Sequence, residues 1–262
     1  MFTDITSKDN PTVKQAHKLL GSSHERKSTK MYVIEGQRLC GDALISKARI
    51  ITLFFTEEAQ QRSADLIECL ECAAEASYRV TPEVFEKVSD TKHPQGICCV
   101  CAMPEPTTDI KQEGRYIALE NISDPSNLGT ILRTAEAFNF DGAVISGDSC
   151  DVYNPKVLRG SMGAVFRLPI IHTDNFPAFM QECKLRGMRP IAAVPDRNAV
   201  SITSVRFFRG VLMCIGNEAQ GLTEETVKSC GEKVTIPMLG RAESLNASIS
   251  ASILMWEMSR GK

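Results

Sequence analysis

Three stretches of this 262-residue chain collect the side chains that could do chemistry. The first is Asn121-Ile122-Ser123-Asp124-Pro125-Ser126-Asn127-Leu128-Gly129-Thr130-Ile131-Leu132-Arg133-Thr134-Ala135-Glu136-Ala137-Phe138. Its Asp-Pro turn leads into a helical stripe of Leu128, Ile131, Leu132 and Ala135, with Asn127 placed to cap the helix and Arg133 off the stripe. The second is Cys214-Ile215-Gly216-Asn217-Glu218-Ala219-Gln220-Gly221-Leu222, an apolar strand that ends in a polar loop. The third runs from Ile236-Pro237-Met238-Leu239-Gly240-Arg241 through Ala242-Glu243-Ser244-Leu245-Asn246-Ala247-Ser248-Ile249-Ser250. In it a strand over 233–236 meets a proline, a loop and then a helix that Ser244 can cap, with Leu245, Ile249, Ile253 and Trp256 on one face. A strand, a tight loop and a helix N-terminus make a ligand cradle. Residue by residue, plainer assignments stay open. Strand–loop–helix is ordinary α/β architecture, Arg133 could pair with Glu136 one turn on, and Ser244 could be a cap and nothing more.

The elements that must position these stretches alternate between strand and helix. Before residue 102 the pattern gives a helix that starts at Asn10-Pro11 and a short basic loop over 22–30. Strands follow at 32–34, 50–55, 79–80 and 96–101, with helices over 37–46, 57–76 and 82–88. That is a small α/β unit. Residues 103–114, with two prolines and scattered charge, read as a linker. The expected domains are therefore 1–105 and 106–262. The second carries strands at 116–120, 143–145, 166–171, 190–194, 211–215 and 233–236, separated by helices at 154–159, 176–186 and 223–230. Its expected class is α/β with a mostly parallel sheet.

Bulk properties exclude several classes. The chain is 43% hydrophobic and 24% charged, enough for two modest cores. Net charge is −2, yet residues 8–49 hold nine basic and four acidic side chains, a local positive patch compatible with nucleic acid. The opening Met1-Phe2-Thr3-Asp4 lacks the basic and apolar regions of a secretory signal, and no run approaches the ~18 apolar residues of a membrane span. Ten cysteines without such a signal suit a reducing, cytoplasmic setting. Cys69-x-x-Cys72 has metal-like spacing but lies in a helical pattern, and Cys98, Cys99 and Cys101 lie in an apolar strand. All five are read as buried thiols, and no metal is expected. The Gly216-Asn217-Glu218 loop lacks the G-x-G-x-x-G turn of a nicotinamide-dependent enzyme.

Taken in this order, the three polar stretches resemble the three motifs of the SpoU/TrmH family of RNA ribose 2′-O-methyltransferases in the SPOUT superfamily. The resemblance covers residues 116–259, and its one departure is Ala247, where the family usually has Val. NPTVKQAHKLL, YVIEGQRL and TKHPQGICCV are similar to the family's N-terminal substrate-binding domain, which has the α/β fold of a group of ribosomal RNA-binding proteins. The resemblance implies S-adenosylmethionine as methyl donor, a C-terminal domain tied in a trefoil knot, a homodimer, and RNA as substrate, ribosomal RNA before transfer RNA. It assigns Asn127, Arg133, Glu218, Ser244 and Asn246 to catalysis, with Arg133 at the ribose and Asn127 and Asn246 orienting it. Glu218 would hold Arg133 or the loop. It assigns Gly216, Asn217, Ile236, Met238 and Leu245 to the cofactor. His24, Arg26, Lys27 and Lys30 are the candidate phosphate contacts of the basic loop. Glu35 could cap Gly36 or the helix behind it. The competing class is an RNA-binding module that keeps the fold without turnover.

Overall fold

The computed structural model describes residues 2–260. The chain divides into two compact units. One runs through Glu105 and recruits Tyr153–Phe166, a segment that the sequence groups with the second domain; the other comprises Pro106–Val152 and the chain from Arg167 onward.

In the first unit, β1 (Thr3–Ile5), α1 (Pro11–Gly21), α2 (Ser23–Thr29), β2 (Met31–Glu35), α3 (Gln37–Ile45), β3 (Ile50–Phe55), α4 (Glu57–Arg62), α5 (Ala64–Ala73), β4 (Ala74–Val80), α6 (Pro82–Val88) and β5 (Ile97–Ala102) follow one another. The strands form one sheet, ordered β1-β4-β3-β5-β2, in which β5 runs antiparallel to both neighbours. Val13, Ala16 and Leu19 of α1 pack with Phe54, Phe85, Val88 and Val100 in a dry core.

Three expectations are corrected here. Residues 22–30 are not a loop. Ser22 Oγ accepts from the Glu25 amide, and Lys30 ends α2 at a positive φ of 55°. The stretch expected as one helix over 57–76 breaks at Ser63, where α4 gives way to α5, and Ala74 onward joins the sheet between β1 and β3. Cys69 and Cys72 are exposed on α5, whose inward face is Ile67 and Leu70, whereas Cys98, Cys99 and Cys101 are buried as expected.

The second unit holds β6 (Arg115–Leu119), α7 (Pro125–Ala137) and β7 (Gly142–Ser146). After α8 (Pro155–Ser161), which belongs to the first unit, come β8 (Ile170–Thr173), α9 (Phe176–Leu185), β9 (Arg189–Ala193) and β10 (Val200–Ser201). β11 (Val211–Ile215), α10 (Glu224–Cys230), β12 (Glu232–Thr235) and α11 (Ala247–Arg260) complete it. The strand expected over 166–171 begins only at Ile170, because residues 164–166 close a 3₁₀ turn. Seven parallel strands lie in the order β10-β12-β9-β11-β6-β7-β8. Tyr116, Val144, Ile171, Leu212 and Cys214 face α9 and α10 through Met180, Cys183 and Cys230. From β6 the chain moves on to β7, and from β11 it moves to the other side, to β12 beyond β9. The carboxyl ends of β6 and β11 therefore flank a point where strand order reverses, the place where open α/β sheets hold ligands.

Candidate active site

All three polar stretches leave the sheet at its carboxyl edge, after β6, β11 and β12. They meet at Asn127, which is 5% exposed in the first turn of α7. Its Nδ2 donates to Glu218 Oε1 at 2.9 Å, and its Oδ1 accepts from Asn246 Nδ2 at 3.0 Å. One amide thus ties the loop after β11 to the head of α11. Asn127 does not cap its helix. Asp124 does, accepting from the Ser126 amide, with Pro125 filling the first helical position where no donor is needed.

Asn246 has a second task. Its Oδ1 accepts from the Ser248 amide and hydroxyl at 2.9 and 2.7 Å and from the Ile249 amide at 3.3 Å, so Asn246 caps α11. Ser244, expected in that role, is exposed two residues before it and makes no hydrogen bond among the described residues. Capping by Asn246 fixes its amide towards Asn127.

Glu218 collects four donors. Oε1 accepts from Asn127 Nδ2 and the Asp124 amide, and Oε2 accepts from the amide and hydroxyl of Ser123. Desolvation alone would raise its pKa, but the hydrogen bonds from Asn127, its own backbone and Ser123 outweigh it and hold the carboxyl down to about 2. Of the two roles open to it, Glu218 takes the loop: it fastens the turn before α7 and does not touch Arg133. Asn217 is also committed internally. Its Oδ1 accepts from the Ala219 and Gln220 amides, its Nδ2 donates to the Asn121 carbonyl, and its backbone pairs with Gly221. It shapes the loop. Gly216 is required by the same closure, since a Cβ there would lie 2.0 Å from the Gly221 carbonyl carbon.

Arg133 lies six residues along α7 from Asn127, roughly 9 Å up the helix axis. It is exposed, and among the described residues its guanidinium has no hydrogen bond or ion pair. Its alternative partner, Glu136, is taken by Arg167 at 2.7 Å. Beside it, α11 buries Ala247, Ala251, Leu254, Met255 and Met258, leaving Ile249 51% and Trp256 53% exposed. Ile249 and Trp256 are therefore not core. Trp256 meets the Phe138 ring at the end of α7.

The loop 236–245 fits the adenosyl part of a cofactor. Among the described residues no backbone–backbone hydrogen bond ties positions 237–245, so amides and carbonyls are free to meet a ligand. Ile236, Met238 and Leu245 are half-buried apolar walls, while Leu239 is wholly exposed. No group of three or more metal-ligating side chains occurs among the described residues. A cavity of about 800 Å³ lined by Lys111, Arg115, Asp141, Phe208 and Arg209 opens at the other, amino-terminal edge of the sheet, away from all three motifs.

Sequence reasoning missed Glu120. It is 3% exposed at the end of β6 and accepts from the Thr223 amide and hydroxyl and from the Thr226 hydroxyl, at 2.6 to 2.9 Å. It thereby holds the start of α10, and with it the far end of the 216–222 loop. An acid at the end of the expected strand 116–120, directly before the first motif, was the available signal.

In the first unit, Arg26 is 2% exposed, and its Nη1 donates to the Leu19 carbonyl at 2.6 Å and the Leu20 carbonyl at 3.2 Å. It braces the corner between α1 and α2, which corrects its reading as a phosphate contact. His24, Lys27 and Lys30 are exposed on α2 and beyond its end.

Residues 114–256 match the SpoU rRNA Methylase family, and residues 10–99 match an MRM3-like substrate binding domain. A Bacillus subtilis 23S rRNA (guanosine(2553)-2′-O)-methyltransferase is 29% identical over 97% of this chain and 98% of its own. A protein of Synechocystis sp., named an uncharacterised tRNA/rRNA methyltransferase, is 32% identical over 99% of this chain and 94% of its own. An AdoMet-bound rRNA methyltransferase from Sinorhizobium meliloti superposes with a TM-score of 0.89 at 28% identity, covering 99% of this chain and 98% of that one.

Proposed function

The chain belongs to the SpoU rRNA methylase family, and from that premise we propose that it transfers a methyl group from S-adenosylmethionine to a ribose 2′-oxygen of ribosomal RNA. The observation that carries the reading is the hydrogen-bonded chain Glu218–Asn127–Asn246, which joins one residue from each motif at the carboxyl edge of the sheet.

S-adenosylmethionine, when bound, supplies the methyl group. The free backbone of 236–240, with Gly216 and Leu245, would hold it. Alignment of the 2′-oxygen with that methyl can lower the barrier by on the order of 7–11 kcal/mol, and the fixed loops supply the rigidity alignment needs. The Arg133 charge would hold the adjacent phosphate and stabilise negative charge growing on the oxygen as the 2′-hydroxyl proton passes to solvent. Asn127 and Glu218 act as positioning residues. Ser244, exposed and without a partner, is free to meet the ribose.

The exposed Ile249 and Trp256 support a homodimer that buries this face, with Arg133 at its edge. We place RNA binding in residues 1–105 and methyl transfer in 106–262, with a trefoil knot in the second of these domains. The substrate-binding match and the relative that acts on 23S rRNA favour ribosomal over transfer RNA. No described helix is long and apolar enough to cross a membrane, and ten free thiols suit the cytoplasm. The test is to map 2′-O-methyls on rRNA and tRNA from cells with and without the gene. The reading expects one rRNA ribose methyl to disappear; an unchanged rRNA map would overturn it.

A further inference from the structure

The loop between α6 and β5 is exposed at its tip and fastened at both ends. Lys92, His93, Pro94 and Gln95 face solvent. At the near end, Glu35 accepts from the Ser89 hydroxyl at 2.7 Å, the Asp90 amide at 3.0 Å and the Thr91 hydroxyl at 2.7 Å. Glu35 therefore caps neither Gly36 nor α3. At the far end, Gln95 Oε1 accepts from the Gln37 amide at 2.9 Å, and Arg62 donates to the Gln95 carbonyl at 2.6 Å. Gly96 completes the clamp: at φ +76° it lies so close that a Cβ would come within 2.4 Å of Thr56 Oγ1.

Charge is sorted across this loop. The carboxylates are engaged, Glu35 as the staple and Asp90 in a surface pair with Arg159 at 2.9 Å. Lys92 and Arg38, the residue after the loop-bound Gln37, are exposed and make no ion pair or hydrogen bond among the described residues. An exposed loop held this firmly loses little entropy when it binds, and unpaired cations on it match phosphates.

We propose that this loop, with Lys92 at its tip and Arg38 beside it, is a phosphate-backbone contact for the RNA substrate, in addition to the cations of α2. The inference rests on the proposed function only for the identity of the RNA. Its test uses the full-length protein and in vitro transcribed 23S rRNA, comparing wild type with the double variant K92A/R38A. Binding is read as a function of salt, and methylation as KM for RNA against kcat. Each lost phosphate contact should lower the slope of log affinity against log salt by roughly 0.7–0.9, so the double variant should lose roughly twice that. KM for RNA should rise several-fold, with kcat and cofactor affinity unchanged. A second variant, Glu35→Ala, keeps both cations but frees the loop, and it should also raise KM.

Unchanged salt slope and unchanged KM in K92A/R38A would overturn the proposal. If the wild type transfers no methyl to any RNA, the proposed function fails instead, and the salt slope of binding still decides the loop. Lys92 and Arg38 lie on the surface, and unaltered thermal unfolding of K92A/R38A shows that loss of binding is not loss of fold.

Discussion

Glu218 and Glu35 do the same job in different units: each is a carboxylate that collects donors from a neighbouring loop. They differ in what donates. Both oxygens of Glu218 face a backbone amide, Asp124 at Oε1 and Ser123 at Oε2. Only one oxygen of Glu35 does, Oε2 to Asp90, while Oε1 meets two hydroxyls. A hydroxyl can turn round and accept; an amide cannot. The loop after β11 is thus written for an ionised carboxylate, and the α6–β5 loop only for a polar group of that shape. Each unit also carries an exposed cation with no ion pair or hydrogen bond among the described residues, Arg133 in one and Lys92 in the other. The stricter staple stands at the proposed site of methyl transfer.

The largest effect should come from the cation of the stricter site. Arg133→Ala removes an exposed side chain, opens no cavity, and should fold and bind cofactor normally. Turnover should drop by a factor on the order of 10²–10³, as when a charge-stabilising donor is lost. Arg133→Lys sharpens the reading: rescue points to charge alone, and little rescue to the planar fork on phosphate. Single-turnover rates at saturating RNA measure both.

Next come the staples themselves. Glu218→Gln must set its amide nitrogen against a backbone N–H in either orientation, so turnover should fall roughly tenfold, with about 1–3 kcal/mol of stability lost. Glu35→Gln can place its nitrogen opposite the two hydroxyls and should change KM for RNA by less than about twofold. Equal effects of the two substitutions on their own readouts would remove the distinction. Urea unfolding and steady-state kinetics on both variants decide it.

The smallest effect is the pH dependence of stability. The folded pKa of Glu218, about 2, lies below its ordinary value of 4.5. Between those values the unfolded chain binds the extra proton, so the stabilisation is complete above the ordinary value and is lost as pH falls through about 2. The carboxylate is exposed and screened by water, so its contribution is on the order of 1 kcal/mol. The stability gap between wild type and Glu218→Gln should narrow on going from pH 6 to pH 3. A constant gap would show that the charge contributes nothing beyond shape.

Apolar period and turn chemistry made the strands and most helices legible, because buried stripes such as Leu128, Ile131, Leu132 and Ala135 leave few alternatives. Caps were read less well. Asn127 and Ser244 both have capping side chains, but Asp124 and Asn246 stand at the residues where the helices begin. Asp124 precedes the proline that must take the first helical position, and that much was visible. Helix α2 was missed because a short, solvated helix has no apolar stripe, although Ser22 and Glu25 had capping-box spacing. The meeting of Glu218, Asn127 and Asn246 joins residues more than 90 positions apart. Only their motifs pointed to it, since no local pattern encodes a long-range hydrogen bond.

The central claim is that three motifs joined through Asn127 serve methyl transfer to a ribose oxygen, and it can be tested on the product itself. Purified protein, isotopically labelled S-adenosylmethionine and in vitro transcribed 23S rRNA are incubated, the RNA is digested to nucleosides, and the labelled nucleoside is identified by mass spectrometry. The account predicts one 2′-O-methylnucleoside, formed by wild type and nearly absent with Arg133→Ala. Label on a base, or no label in an RNA that the protein binds, would contradict it.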